Sequence, residues 1–267
     1  MASPQRPPFR ATLRSNQRLV ATFLMIPRIE VIELLGSAHF DAVIIDLEHG
    51  PIGIADLPAL TSAAHGAGLH AVARLRTGDS IEVSSALDCG VDAVMVPHVS
   101  SPTDAAAAVR YARFPPEGDR SVNPYVRGLG YDGEDPSSLG LVNQRIGVIG
   151  MVEGSAGLDN LPSILQTDGL DAIFIGPVDL SASLGHPGQP EHPEVVARMR
   201  SILLSAADHG VATGVYAPTS VAAERWLELG VSLVAVSADV SMLHDAFRSM
   251  RLSLHEDREP SARLDTR

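Results

Sequence analysis

Glu153 and Asp179 each follow a short apolar run of the kind that forms a buried strand. The two runs read IGVIGMVEG and DAIFIGPVDL. Carboxylate oxygens at the exits of neighbouring parallel strands suit a hard divalent cation such as Mg²⁺ or Mn²⁺, and two protein ligands leave coordination positions open for water and substrate. Each residue alone could instead be a helix N-cap or a first-turn acid. Together they predict a metal site.

Asp46 and His49 could form an acid–base pair after the second predicted strand, in the segment DLEHGP. A carboxylate near an imidazole can fix the tautomer of the ring and raise its basicity, although the same segment is also typical of an ordinary loop with a capping aspartate. Arg74 ends the third predicted strand. A buried guanidinium needs an anionic partner, so Arg74 could bind a carboxylate or steady an oxyanion, with Arg76 as the fallback.

The segment GPVDLS, which begins at Gly176, offers a further anion site. It follows the sixth predicted strand and opens a predicted helix. The backbone N–H groups of Val178 and Asp179 could therefore hold a substrate carboxylate. This site would lie beside the predicted metal ligands.

The chain contains no lysine, because all 20 of its Lys and Arg residues are arginine. A codon-usage bias is the simpler explanation for the absence. Whatever its cause, no lysine Schiff base can form. Carbon–carbon chemistry at a ketone must therefore use another electrophile, such as a metal ion.

Eight short, mostly β-branched runs alternate with Ala- and Leu-rich stretches of helical period. The predicted strands are Val20–Leu24, Ala42–Asp46, His70–Arg74, Ala93–Val96, Ile146–Val152, Ala172–Ile175, Val211–Val215 and Leu233–Val236. The predicted helices include Ile54–Ala64, Ile81–Asp88, Thr103–Arg113, Pro193–Asp208, Val221–Leu229 and Asp239–Met250. This alternation predicts an α/β fold, a single-domain (β/α)₈ TIM barrel. A doubly wound sheet is the alternative, but its Gly-rich turn after the first strand is missing.

A long loop rich in Gly, Pro and charge is predicted from Phe114 to about Leu139, and its length favours a functional role. It contains GLGYDG, which matches the dinucleotide-binding pattern but follows no predicted strand. We therefore expect no organic cofactor. His98 ends the fourth strand and is predicted to be a packed loop residue, and His186 and His192 flank a turn and are also predicted to be loop residues.

The net charge of −12 and the pI near 5.2 argue against nucleic-acid and anionic-membrane partners. Cys89 has no disulfide partner, there is no run of membrane-spanning length, and the start lacks the apolar region of a secretory signal. These features predict a cytoplasmic protein. Residues 1–15 and 255–267 are predicted to be flexible, with the barrel between them from 16 to 254.

Several stretches together resemble the HpcH/HpaI aldolase family, the class II pyruvate aldolases. They are DAVIIDLEHGP, VARLR, ALDCGVDAVMVPHV, RFPPEGDRS, GMVEGSAGLDNLPSIL, DAIFIGPVDLSASLGHPGQPEHPEV and LELGVSLVAVSAD. The resemblance runs from about residue 18 to 250. It implies a modified barrel, a homohexamer of paired subunits that exchange their eighth helix, and a divalent cation (Mg²⁺, Mn²⁺ or Co²⁺). It also implies the reversible cleavage of 4-hydroxy-2-oxo acids to pyruvate and an aldehyde.

The resemblance implies a role for each matching residue. The metal ligands would be Glu153 and Asp179, the base His49 with Asp46 as its partner, and the group that steadies the enolate oxygen Arg74. The carboxylate clamp would be formed by Gly176, Val178 and Asp179, with Asp88 approaching the site from a neighbouring subunit. Many relatives carry Gln two residues before the metal-binding Glu, where this chain has Met151, and a thioether accepts hydrogen bonds poorly.

Two alternatives stay open at this point. One is a related lyase that uses the same enolate, either an oxaloacetate-type decarboxylase or a CoA-ester lyase. A CoA site would favour a basic patch for phosphates, and this acidic chain shows none clearly. The other alternative is a non-catalytic member of the family, against which the intact set of site residues argues.

Overall fold

The computed structural model describes residues 7–15, 17–131 and 137–256. Within them, eight parallel strands close into a barrel in chain order, so that the first strand pairs with the eighth. The strands are β1 Leu19–Leu24, β2 Ala42–Asp46, β3 His70–Arg74, β4 Ala93–Val96, β5 Gly147–Met151, β6 Ala172–Ile175, β7 Ala212–Ala217 and β8 Leu233–Ala238. The predicted TIM barrel is confirmed, and a doubly wound sheet is excluded because a closed ring has no edge strands.

The strands are continuous apolar runs because both of their faces are buried. In β2, Ala42 and Ile44 belong to the cluster inside the barrel, whereas Val43 and Ile45 belong to the cluster between the strands and the helices. Side chains alternate along a strand with a period of two residues. Asp46 therefore continues the inward set to the carboxyl end of its strand, where barrel enzymes place their active sites.

Most of the helices follow strands and cover the outside of the barrel, whereas the first helix precedes β1. They are α1 Phe9–Arg14, α2 Ile29–Ser37, α3 Leu57–Gly66, α4 Ser80–Asp88, α5 Pro102–Ala112, α6 Ser137–Arg145, α7 Ser155–Asp159, α8 Leu161–Leu165, α9 Pro177–Ser183, α10 Pro193–Asp208, α11 Ser220–Glu228 and α12 Asp239–Glu256. The predicted helix Ile54–Ala64 divides into a 3₁₀ turn, Ile54–Asp56, followed by α3. No helix among the described residues combines the length and apolarity needed to cross a membrane.

The long predicted loop ends earlier than expected, because α6 begins at Ser137. Arg127–Leu129 form a second 3₁₀ turn, and Gly130 ends it in the left-handed conformation, with φ of 68°. Gly128 and Gly130 therefore do not lie between a strand and a helix, as a dinucleotide-binding motif requires. Residues 132 and 133 of the GLGYDG segment lie outside the described residues.

The prediction that residues 1–15 form a flexible segment is wrong for α1. Phe9 and Leu13 lie one helical turn apart and are buried in the inner cluster. The Nε of Arg10 donates to Oδ1 of Asp171 at 2.7 Å. Phe9 also meets the His70 ring edge-on, with ring centroids 5.0 Å apart, so α1 closes the end of the barrel opposite the strand exits. Residues 1–6, like 257–267 of the predicted tail, lie outside the described residues.

The last helix, α12, contacts the barrel only near its start. Asp239 accepts hydrogen bonds from the backbone N–H groups of Met25 and Ile26, at 3.0 and 2.9 Å. From residue 243 to residue 254, every residue of α12 is exposed. The helix therefore projects from the barrel within a single chain.

Candidate active site

Asp46 and Arg74 are paired across two neighbouring strands at the open end of the barrel. They are register partners in β2 and β3. Arg74 donates to the buried Asp46 carboxylate through both Nε and Nη2, at 2.9 and 2.5 Å. A two-pronged arginine–carboxylate contact fixes the plane of the guanidinium as well as its position. The arginine is thus oriented before any ligand arrives.

Asp46 reaches His49 through the main chain, so the predicted pairing of its carboxylate with the imidazole is wrong. Oδ1 of Asp46 accepts from the backbone N–H groups of Glu48 and His49, at 3.1 and 3.2 Å. The His49 ring is 65% exposed, and its Nε2 lies 3.9 Å from Oε2 of Glu48. The physical reason is that the guanidinium of Arg74, on the neighbouring strand, donates to both oxygens of this carboxylate. Asp46 still shapes the loop that carries His49.

Arg74 is held on three sides. Besides the Asp46 contact, its Nη1 lies 3.3 Å from Oε2 of Glu48, and its guanidinium carbon lies 4.5 Å from the centre of the Phe23 ring. The side chain is mostly buried. Arg76, the fallback, is half exposed and donates through Nη2 to the carbonyl of Ile52 at 2.6 Å. Arg74 is therefore the better-positioned arginine.

Glu48 and His98 also line this region, and the sequence reasoning gave neither of them a functional role. Oε1 of the largely buried Glu48 lies 3.3 Å from Nε2 of His98. His98 was predicted to be packed, but its side chain is 71% exposed, and its Nδ1 lies 3.0 Å from Oε1 of Glu153. Its φ of +54° is rare for a residue with a side chain. The one signal for Glu48 was its position two residues beyond Asp46.

Glu153 is a buried carboxylate with a second acid near it. Burial is the largest influence on the pKa of Glu153 and raises it above the ordinary value. The His98 ring opposes this rise, whereas the negative charge of Asp179 adds to it. Two nearby carboxylates destabilise each other when both are ionised, and the effect is stronger where one of them is buried, as Glu153 is. A bound cation would relieve this repulsion.

Gly176 lies between the two carboxylates and leaves room for such a cation. A Cβ atom at this position would lie 2.8 Å from Oε2 of Glu153 and 3.6 Å from Oδ2 of Asp179. The absent side chain therefore keeps a space open beside an oxygen atom of each carboxylate. The donors are carboxylates, which suits Mg²⁺ or Mn²⁺. An open cleft of about 240 Å³ adjoins them, lined by His98, Val99, Ser100, Glu153, Gly154, Ala156, Gly157, Asp179 and Ser183.

The remaining predicted site residues lie in two places, at the start of α9 and at the end of α4. Val178 and Asp179 are exposed in the first turn of α9, and no side chain caps that helix, so their N–H groups face no capping acceptor. Their role as a carboxylate clamp stays a prediction. Asp88 is the last residue of α4 and pairs with Arg120 at 2.7 Å. Because α4 runs back from the strand exits, Asp88 lies at the opposite end of its own barrel.

Met151 is buried in the cluster inside the barrel. It precedes Glu153 by two residues and points inward, as the alternation of β5 requires. The side chain therefore contributes packing beneath the carboxylates. It offers the site no strong hydrogen-bonding group.

Comparison with known proteins assigns the family. The HpcH/HpaI aldolase/citrate lyase model matches residues 20–246. The chain belongs to this family. The 5-keto-4-deoxy-D-glucarate aldolase of Klebsiella pneumoniae subsp. pneumoniae is 35% identical over 242 residues, which cover 91% of this chain and 94% of that relative. The enzyme of the same name from Salmonella paratyphi C is 34% identical over 241 residues, which cover 90% of this chain and 92% of that relative.

Solved structures agree with this assignment. A family member from Burkholderia cenocepacia J2315 is 36% identical, with a TM-score of 0.86, and the match covers 94% of this chain and 98% of that one. The HpcH/HpaI aldolase from Desulfitobacterium hafniense DCB-2 is 26% identical, with a TM-score of 0.89, and the match covers 97% of this chain and 100% of that one. The resemblance read from the sequence is confirmed, and so is the prediction of a carbon–carbon lyase.

Proposed function

We propose that this family member catalyses the metal-dependent, reversible aldol cleavage of a 4-hydroxy-2-oxo acid to pyruvate and an aldehyde. The observation that carries the proposal is the buried Glu153 and the neighbouring Asp179 around the side-chain-free Gly176. The proposed metal is Mg²⁺, Mn²⁺ or Co²⁺, with these two carboxylates as its protein ligands. When bound, the cation would supply the electrophile at the C2 oxygen that a lysine supplies in Schiff-base aldolases.

Arg74 is proposed to stabilise the negative charge that develops on the C2 oxygen. Its guanidinium is already held by Asp46 and stacked over Phe23. A donor that is oriented beforehand needs little reorganisation when charge appears, and this is the main source of electrostatic catalysis. Asp46 is thus a positioning residue for Arg74. The first-turn N–H groups of α9 would hold the carboxylate of the 2-oxo acid.

His49 is proposed as the general base. Its exposed ring can reach the substrate's C4 hydroxyl directly or through one water. Removal of that proton lets the C3–C4 bond break. The carbonyl of the aldehyde forms at C4, and the bonding electrons move to C3 and C2 to give the enolate of pyruvate. Protonation at C3 then completes the product.

The names of the relatives favour a dicarboxylic substrate, such as 5-keto-4-deoxy-D-glucarate. In that compound the bond between C3 and C4 joins a pyruvate unit to a three-carbon aldehyde that carries its own carboxylate. We propose this substrate class for the chain. The competing possibility is an oxaloacetate-type decarboxylase or a CoA-ester lyase, both of which would use the same enolate.

A pyruvate-release assay tests the proposal. The purified protein is treated with EDTA, dialysed, and supplied with hydroxy-oxo acids, oxaloacetate or a CoA thioester, with and without Mn²⁺. We expect metal-dependent pyruvate release from the dicarboxylic hydroxy-oxo acid, and no covalent adduct after treatment with borohydride and pyruvate. Glu153→Gln should abolish the metal-dependent activity. Asp159→Asn removes an exposed carboxylate outside the cleft and should leave that activity unchanged. Full activity without metal, or turnover of oxaloacetate alone, would refute the proposed reaction.

We also propose that the chain forms a homo-oligomer, a hexamer by analogy with the family, in which α12 packs on a second copy. Exposed apolar residues recur on α12 at alternating spacings of three and four, at Val240, Leu243, Phe247, Met250 and Leu254. This spacing makes one continuous apolar stripe on a helix, and such a stripe exposed to water favours binding to a partner.

We also propose a cytoplasmic location, which the single cysteine of the chain supports.

Light scattering coupled to size-exclusion chromatography tests the assembly. Phe247 is 70% exposed on the α12 stripe, and Leu204 is equally exposed on α10. Phe247→Glu should therefore reduce the assembly to smaller species, whereas Leu204→Glu should leave the mass unchanged. A monomeric wild-type protein would contradict the proposed assembly.

A further inference from the structure

Two histidines and a glutamate converge where the connection from α9 meets the first turn of α10, and none of them lines the cleft beside Glu153 and Asp179. One donor atom each of His186, His192 and Glu194 lies within 4.8 Å of the other two. Nε2 of His186 lies 2.9 Å from Oε2 of Glu194, and the two imidazole rings stack with their centroids 3.5 Å apart. None of the three is used by the proposed aldol chemistry.

The connection holds these side chains in place through its backbone. The N–H of His186 donates to the carbonyl of Ser181 at 2.8 Å, and the N–H of His192 donates to the carbonyl of Gln189 at 3.0 Å. The segment turns back at Gly185 and Gly188. Their φ angles of 82° and 72° are unfavourable for residues that carry a side chain. Both histidines are thus fixed to a tightly folded segment.

A contact to α11 adds to this rigidity. Nη2 of Arg225 donates to Oε2 of Glu191 at 2.7 Å, next to His192 in the chain. The side chain of His192 also caps α10, because its Nδ1 accepts from the N–H of Glu194 at 3.3 Å. The cap uses the lone pair of Nδ1, which places the proton of the neutral ring on Nε2. A metal bound through Nε2 would require the tautomer that is protonated at Nδ1, so the metal would replace this cap.

From this geometry we propose that His186, His192 and Glu194 form a second metal site, specific for a borderline transition metal such as Zn²⁺. Two imidazoles and one carboxylate are the three-ligand set that zinc accepts with one position left for water. Tetrahedral coordination with bonds of 2.0–2.2 Å separates ligand atoms by about 3.4 Å, so the His186–Glu194 contact needs to open by only roughly 0.5 Å.

The two sites would select different metals. Glu153 and Asp179 offer only carboxylate oxygens, which suit hard cations, whereas imidazole nitrogens favour zinc, nickel or copper. The positive end of the α10 dipole acts against a cation, but the charge of Glu194 lies in the same first turn and offsets it. The metal would join the end of α9 to the start of α10. It would thereby stabilise the position of α9, whose first turn carries the proposed carboxylate clamp and the proposed metal ligand Asp179.

Zinc titration by calorimetry tests the second site. The protein carries Glu153→Gln and Asp179→Asn, so that the proposed catalytic site cannot contribute. We expect about one equivalent of Zn²⁺ to bind. His186→Gln keeps a hydrogen bond to Glu194, and His192→Asn keeps a good N-cap. Each of these changes should weaken zinc binding at least about tenfold, the lower end of what perturbing a metal site costs.

His244→Gln is the matched control, because His244 is exposed and its Nδ1 lies 3.4 Å from Oδ1 of Asp245 without a third ligand. It should leave the titration unchanged. Co²⁺ provides a second readout on the unaltered protein, where a four-coordinate site gives strong visible absorption that the His192→Asn variant should lack. Zinc binding that persists in both histidine variants, or that falls equally in His244→Gln, would overturn the proposal.

Discussion

Gly176→Ala tests the proposed metal site without removing a ligand. The added Cβ would lie 2.8 Å from Oε2 of Glu153, whereas ordinary contacts begin near 3.4 Å, so the carboxylate must move by about 0.6 Å. The φ of Gly176 is −89°, which alanine adopts without strain. Because the displaced atom ends a flexible side chain, the fold should tolerate the change.

The same change should weaken metal binding. Metal–ligand distances in real sites vary by only about 0.2 Å, roughly a third of the required shift. Oε1 of Glu153 is also held by the ring and the N–H of His98, at 3.0 and 3.4 Å, so the carboxylate cannot simply shift as a unit. We expect Mn²⁺ affinity to fall about 10–100-fold, the usual effect of disturbing the orientation of a ligand.

Mn²⁺ binding followed by electron paramagnetic resonance measures the effect, with pyruvate release at saturating and limiting Mn²⁺ as a second assay. Gly154→Ala is the control, because nothing lies within 4 Å of a Cβ at that position in the same cleft. High Mn²⁺ should restore part of the activity of Gly176→Ala. If its Mn²⁺ affinity stays within twofold of the wild-type value, the site between Glu153 and Asp179 is not where the metal binds.

Three further changes test other residues. His49→Ala should lower kcat for cleavage by about 10²–10⁴-fold while pyruvate binding stays nearly unchanged, because only the base is lost; a near-normal kcat would remove His49 from that role. Arg74→Lys should slow exchange of the pyruvate C3 protons, followed by NMR, by about 10²–10³-fold, since an ammonium cannot reproduce the two-pronged contact with Asp46; normal exchange would assign enolate stabilisation to another group. Burial raises the pKa of Asp92, but the hydrogen bonds with His65 at 2.9 Å and with the backbone N–H of Ala71 at 2.8 Å, together with the nearby His70 ring, outweigh it and hold that pKa well below its ordinary value. The stabilisation is therefore present above about pH 3.9 and is lost as pH falls below it. Asp92→Asn should reduce the free energy of unfolding at neutral pH by about 1–3 kcal/mol and flatten its decline in acid; an unchanged acid limb in urea denaturation would contradict this account.

The sequence alone determined the barrel and the approximate position of the two carboxylates of the proposed metal site. Strand runs that are apolar on both faces, separated by helical periods, are compatible with few folds. In a parallel barrel all strands end on the same face, so Glu153 and Asp179 had to lie near each other once the strands were recognised. Arg74 was placed at that face by the same reasoning.

Only the tertiary structure decided which side chains pair. Asp46 contacts Arg74 because β2 and β3 place them in register, and a guanidinium across the strand boundary outcompetes an imidazole three residues along the chain. The His98 ring lies beside Glu153 although it is largely exposed, and the backbone of His98 is itself in the left-handed conformation, which no local pattern indicated. Periodicity fixes which face of an element is buried, but pairing within a site depends on register and on backbone angles, and these are set when the barrel closes.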